Sequence, residues 1–169
     1  MWAVAALAFA VGQPVEAKRF ENAYVAFDLP DAWTCAREDD DWVCQPPPDA
    51  RGKFSMIVIL TAKLVGPDDS PQLYIEHLEE MGRQSGVNAD ERPRDRLIGQ
   101  TRWLDATLRN SERPGYQTRY LARIEGRVAV MLTFSAHRTI TGAAKPISDA
   151  LARSVEVNSA YVRPEIQAR

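Results

Sequence analysis

Apolar and polar residues alternate with a period of two most clearly between Phe54 and Val65. Phe54, Met56, Val58, Leu60, Ala62 and Leu64 fall on one side, and Ser55, Ile57, Ile59, Thr61 and Lys63 on the other. This alternation marks a strand, and apolar residues on both sides of its first half mark a central strand covered on two faces. Gly66-Pro67-Asp68-Asp69 ends it. The period then lengthens: Leu73, Ile75, Leu78 and Met81 recur at helical spacing, while Glu76, His77, Glu79, Glu80 and Arg83 take the polar side. Ser70 as N-cap, Pro71 at the first helical position and Gly86 as the stop predict a helix over about 71 to 85. Asn88 to Asp95, charged and broken by Pro93, reads as a surface loop.

The same reading places a strand at Phe20 to Leu29, ended by Pro30-Asp31, and a hairpin at Trp33 to Cys44. An extended linker carries Pro46-Pro47-Pro48. After the helix come a loosely alternating strand from Leu97 to Leu108 and a turn at Asn110 to Gly115. A strand through Tyr116, Thr118, Tyr120, Ala122 and Ile124 follows, then Val128 to Ala136 across the turn Glu125-Gly126-Arg127. Thr139 to Lys145 reads as a loop, and Pro146 as the start of a helix with the stripe Ile147, Ala150, Leu151 and Val155. Val157 onward adds a short edge strand. The order is three strands, helix, three strands, helix. That predicts an α+β fold, a mostly antiparallel sheet of about six strands packed with two main helices, and excludes a βαβ dinucleotide pattern.

Composition narrows the class. The 169 residues are 45% hydrophobic and 26% charged, which suits one globular domain. A formal charge of −2 gives no global attraction to nucleic acid. Residues 2 to 11 are uncharged and apolar, and Val15-Glu16-Ala17 presents small residues to a signal peptidase. The run is too short to span a bilayer. Residues 1–17 are therefore expected to be a signal peptide and 18–169 a single exported domain, periplasmic or secreted, with no transmembrane segment in the mature chain.

Export bears on the two cysteines. A hairpin centred on Asp39-Asp40 pairs Glu38 with Asp41, Arg37 with Trp42, Ala36 with Val43 and Cys35 with Cys44. The cysteines then meet at a non-hydrogen-bonded site, with Cα atoms about 4.5 Å apart, within disulfide reach. A structural disulfide between Cys35 and Cys44 is expected; their spacing is not that of a redox or zinc motif. Trp33 and Trp42 share the face of that pair, which is core if covered and a binding surface if not. The acidic run Glu38 to Asp41 reads as a solvated tip, because no second group of oxygen ligands stands at calcium-binding spacing.

Candidate chemistry is sparse. His77 and His137 lie far apart, and no Gly-x-Ser-x-Gly elbow or phosphate-cradling glycine loop accompanies them. No catalytic residue, metal site or cofactor is assigned. Arg102, Arg119, Arg123 and Arg127 fall on adjacent strands, with Arg119 and Arg123 on one face. Left uncovered, that face is a cationic patch for an acidic partner; otherwise its guanidinium groups pair with Asp105, Glu112 or Glu125.

The opening Tyr24-Val25-Ala26-Phe27-Asp28-Leu29-Pro30-Asp31-Ala32-Trp33 resembles the start of PsbP-like and DcrB-like α/β proteins. Ile147 to Val155 resembles their closing helix and its Ser-Val exit, and the layout matches over roughly 22 to 157. The resemblance implies an extracytoplasmic, mostly non-catalytic domain that binds or assembles with another envelope protein, and it transfers no functional residues. The competing expectation is a hydrolase or anionic-ligand-binding domain that uses His137 and the Arg119/Arg123 face.

Overall fold

The computed structural model describes residues 17–39, 41–84, 92–110 and 114–162. Residues 1–16 of the expected signal peptide and the Gly86 helix stop lie outside the described residues. Strands β1 (Ala17–Glu21), β2 (Val25–Pro30), β3 (Thr34–Glu38), β4 (Asp41–Gln45) and β5 (Met56–Leu64) precede helix α1 (Pro71–Gln84). Strands β6 (Arg94–Ile98), β7 (Thr101–Arg109), β8 (Tyr116–Glu125) and β9 (Val128–His137) follow. A 3-10 turn leads into α2 (Thr141–Ser154), then β10 (Glu156–Val157) and the short α3 (Ser159–Val162).

Two antiparallel sheets form the fold. The larger has seven strands in the order β3-β4-β5-β9-β8-β7-β6, and the smaller has the order β1-β2-β10. The period-two pattern of β5 and β9 explains their central place: Val58, Leu60 and Ala62 pair across from Phe134, Leu132 and Val130 and are buried. This face meets the small sheet and α2 in the main core, with Phe27, Leu29, Trp33, Leu121 and Leu151. The opposite face packs α1: Leu78, Tyr74, Ile75 and Met81 against Leu104, Ala106, Leu108 and Tyr120. Ser70 caps α1 as expected, its Oγ accepting from the Leu73 amide at 3.1 Å.

Four sequence boundaries are corrected. The single strand read over Phe20 to Leu29 is two, because the Asn22 side-chain oxygen accepts from the amides of Tyr24 and Val25, both at 2.9 Å, and folds the chain back. The strand read over Leu97 to Leu108 also turns back, at Gly99, whose φ of +64° suits a two-residue hairpin loop between Ile98 and Thr101. The predicted loop before it ends earlier than expected, since β6 begins at Arg94 despite Pro93. Finally, α2 starts at Thr141, which leaves Pro146 inside the helix. Its missing amide costs one intrahelical bond. Burial of Ala144, Ser148, Leu151 and Ala152 on the sheet holds the first turns, and the preceding 3-10 turn is capped by His137.

Beyond α2 the expected edge strand is the short β10, which pairs with β2. The chain then crosses the β8–β9 turn: Arg127 donates its amide to the Tyr161 carbonyl at 2.9 Å. A Cβ at Gly126 would stand 2.3 Å from that same carbonyl oxygen.

Candidate functional site

The α2-facing side of β7 and β8 carries Trp103, Asp105, Arg119 and Arg123 at alternating positions. Arg119 is 8% exposed and gives its Nε and Nη2 to the two oxygens of Asp105, each at 2.8 Å. This is the parallel two-bond geometry that a guanidinium offers a carboxylate. Its Nη1 donates to Ser148 Oγ at 2.7 Å and to Asp149 at 2.6 Å, so the group bolts α2 to the sheet. Burial works against its charge, but Asp105 and Asp149 outweigh it and hold the guanidinium above its ordinary value. Burial likewise pushes the Asp149 carboxyl up, and is outweighed by Lys145, at 2.7 Å, and Arg119, which hold it below the usual carboxylate range.

Arg123 lies next on the same face, its guanidinium 4.7 Å from the Trp103 ring centre. It donates to the Val155 carbonyl at 3.0 Å and pairs with Glu125 at 3.0 Å. Burial lowers its affinity for the proton, with Glu125 in opposition.

The face that carries Arg119 and Arg123 is therefore covered by α2, and both groups have internal partners there. Arg102 points to the other side of the sheet and meets Asp95 at 3.4 Å. Trp33 is 4% exposed against Phe134, and Trp42 packs on Phe20 and Phe27 beneath the small sheet. The face shared by the two tryptophans is core. Cys35 and Cys44 are joined in the expected register, with Cα atoms 4.1 Å apart.

What remains open is a cleft of about 720 Å³ between α2 and the β6–β7–β8 end of the sheet. Arg119, Asp105 and Asp149 form its floor. Its rim carries Arg92, Arg94 and Arg96 from one edge, with Lys145 and Arg153 from α2. The lining holds six cationic side chains against two carboxylates, in a chain whose formal charge is −2. Among the described residues, no carboxylate pairs with Arg94 or Arg153; Arg96 reaches Asp105 only at 3.4 Å. The sequence carried the signal, Arg92-x-Arg94-x-Arg96, but Pro93 made the stretch read as a loop.

A second cleft, of about 680 Å³, lies at the same end of β8 and β9 but on the opposite face of the sheet, and is lined by Lys53, Tyr116, Ser135 and His137. Ser135 Oγ is 2.8 Å from Thr118 Oγ1, both buried. His137 stacks edge-on against Tyr116, and its Nδ1 is 2.9 Å from Thr139 Oγ1. Arg119 and His137 thus line different clefts.

No sequence-family profile and no curated protein matches the chain. Solved structures do match its fold. Cyanobacterial PsbP (CyanoP) from Synechocystis sp. PCC 6803 aligns with a TM-score of 0.61 and 10% identity, over 90% of this chain and 98% of that one. Mog1p, a Ran-binding protein of Saccharomyces cerevisiae, aligns at 0.53 and 8%, over 89% and 100%. LpqN of Mycobacterium tuberculosis, involved in cell envelope biogenesis, aligns at 0.53 and 10%, over 88% and 87%. Against a Bacteroides thetaiotaomicron structure, at 0.57 and 13%, the match covers 84% of this chain and 48% of that one, about half its length. The fold is that of the PsbP-like α/β proteins.

Proposed function

We propose that this PsbP-like chain is an exported binding module of the cell envelope. It acts by contact with another protein, without catalysis of its own, once residues 1–17 have been removed from the domain at 18–169. The observation that carries the reading is the cationic cleft beneath α2. Its floor charges are locked to one another, while Arg92, Arg94 and Arg153 on its rim are exposed, an arrangement that recognises a surface rather than transforms a bound group. The Cys35–Cys44 bond supports a compartment where disulfides persist. LpqN's part in envelope biogenesis and Mog1p's binding of Ran are compatible with a fold that works by association. The separation of His137 from Arg119 weighs against the hydrolase or anionic-ligand reading that would use them together.

The test is made in the cell of origin. The processed protein should begin near Lys18 and fractionate outside the cytoplasm. A photo-crosslinking side chain placed at Thr107, in the cleft, should give a discrete adduct with a second protein, while one at Gln72 on exposed α1 should not. An intact Met1 in the cytoplasmic fraction would overturn the compartment. Equal labelling from both positions would overturn the surface.

A further inference from the structure

We propose that the β6 edge and its arginine row dock an extended segment of the partner protein in which acidic and apolar residues alternate. This deepens the binding reading above and rests on it.

The register supplies the argument. Strand β6 is the last strand of the seven-stranded sheet, and among the described residues nothing pairs with its outer side. The two-residue loop makes Ile98 and Thr101 a hydrogen-bonded pair, so Arg96 and Arg94, opposite Trp103 and Asp105, also turn their amides and carbonyls inward to β7. Asp95 and Leu97 consequently aim theirs outward, where an added strand can take them.

Side chains follow the same parity. Arg92, Arg94 and Arg96 all line the cleft, and Ile98 continues their row into the core. Along a strand such a row repeats about every 6.7 Å, the spacing that the alternate side chains of an added strand present. Arg153 closes the row at the β6–β7 turn: a Cβ at Gly99 would lie 3.1 Å from its Cγ, so its stem is seated there with the guanidinium beyond. On the opposite side of β6, Leu97 is 66% exposed, the most open large hydrophobic residue among those described. Asp95 on that side is occupied by Arg102. An added strand therefore meets cations with one set of its side chains and Leu97 with the other. That pattern selects acidic residues at alternate positions with apolar ones between them. A small anion could use the arginines but would leave both the edge amides and Leu97 unused.

The experiment uses the processed protein and two fluorescein-labelled octapeptides of equal composition, one alternating Glu and Val, the other with four Glu followed by four Val. Fluorescence anisotropy should show the alternating peptide at least about tenfold tighter, and amide resonances of Asp95 and Leu97 should shift on titration. Arg94→Glu/Arg96→Glu should abolish the difference, with Arg51→Ala as an exposed control. Equal affinity for the two peptides would overturn the proposal, because it describes a charge patch without a register. So would binding of inorganic phosphate or citrate with no response to either peptide. If the thermal midpoint of Arg94→Glu/Arg96→Glu falls, the separate variant Leu97→Asp, on the opposite side of β6, must weaken the alternating peptide alone; failure to do so also overturns it. In cells, crosslinking from Thr107 that survives Arg94→Glu/Arg96→Glu would leave protein contact standing while removing this account of it.

Discussion

Replacing Arg119 by Met tests how the floor of the cleft is built. The substitution keeps most of the aliphatic stem and removes the guanidinium, which leaves the 6%-exposed Asp105 carboxylate without its two bonds of 2.8 Å. Among the described residues Asp105 then keeps only Arg96, at 3.4 Å, and Ser148 loses its donor at 2.7 Å. Removing one member of a buried pair costs about 3–5 kcal/mol. Because Arg96 remains and Lys145 still holds Asp149, the lower end, about 3 kcal/mol, is expected. With a urea slope of about 2 kcal/mol/M, the unfolding midpoint should fall by about 1.5 M with the slope unchanged. The double variant Arg119→Met/Asp105→Leu removes the stranded charge as well and should recover most of the loss, so that the cycle closed with Asp105→Leu alone shows a coupling of at least about 2 kcal/mol. Equilibrium urea unfolding with the disulfide intact measures the three variants against the parent chain. A midpoint shift under about 0.5 M for the single variant, or additive losses in the pair, would refute the role given to Arg119.

Two further outcomes follow from the hairpin and from the carboxylates. Reducing Cys35–Cys44 should lower stability by about 2.7 kcal/mol, the chain-entropy value for a closed loop of about ten residues; unfolding with and without reductant checks it, and an unchanged midpoint would contradict it. Burial pushes Asp69 up, but bonds from the Tyr74 hydroxyl at 2.6 Å, the Gly66 amide and Lys63 outweigh it and hold the carboxyl below its ordinary 3.8; Asp149 is also lowered. A depressed folded value contributes stability that is present above the unfolded value and lost as pH falls through the folded one. The denaturation midpoint should therefore stay level down to about pH 4 and drop below it. Tyr74→Phe should make that acid drop shallower, and an identical drop in the variant would count against the assignment.

The central strands and both main helices were legible because their patterns are long and strongly periodic. The Cys35–Cys44 register followed from counting out from Asp39-Asp40, since a two-residue loop leaves one pairing. Shorter features were masked by their neighbours. At Asn22 and Gly99 the chain reverses within two or three residues, and apolar residues on both sides of each turn merge into one apparent strand. Pro146 looked like a helix start because proline suits the first turn, but burial of Ala144 on the sheet draws the helix back to Thr141. For the site, the face shared by Arg119 and Arg123 was visible from alternation. Its cover was not, since nothing local in the sequence says that Ser148 and Asp149 arrive on Arg119. The row Arg92, Arg94 and Arg96 lay in plain view but needed β6 to exist before its parity had meaning.

The disulfide also makes the two edges of the large sheet unequal in time. On the β3 edge, Cys35 is tied to Cys44, so that strand cannot exchange places with a strand from another copy while the bond is closed, and any fraying is confined to the tip beyond it. On the β6 edge no covalent bond holds the strand; only the hairpin at Gly99 and the side chains beneath α2 do so. Hydrogen exchange should thus separate the edges among amides that are bonded inward, with slow exchange at Thr34 and Ala36 on β3 and faster exchange at Arg94 and Arg96 on β6. The chain has one margin shut against intruding strands and one margin that can admit them.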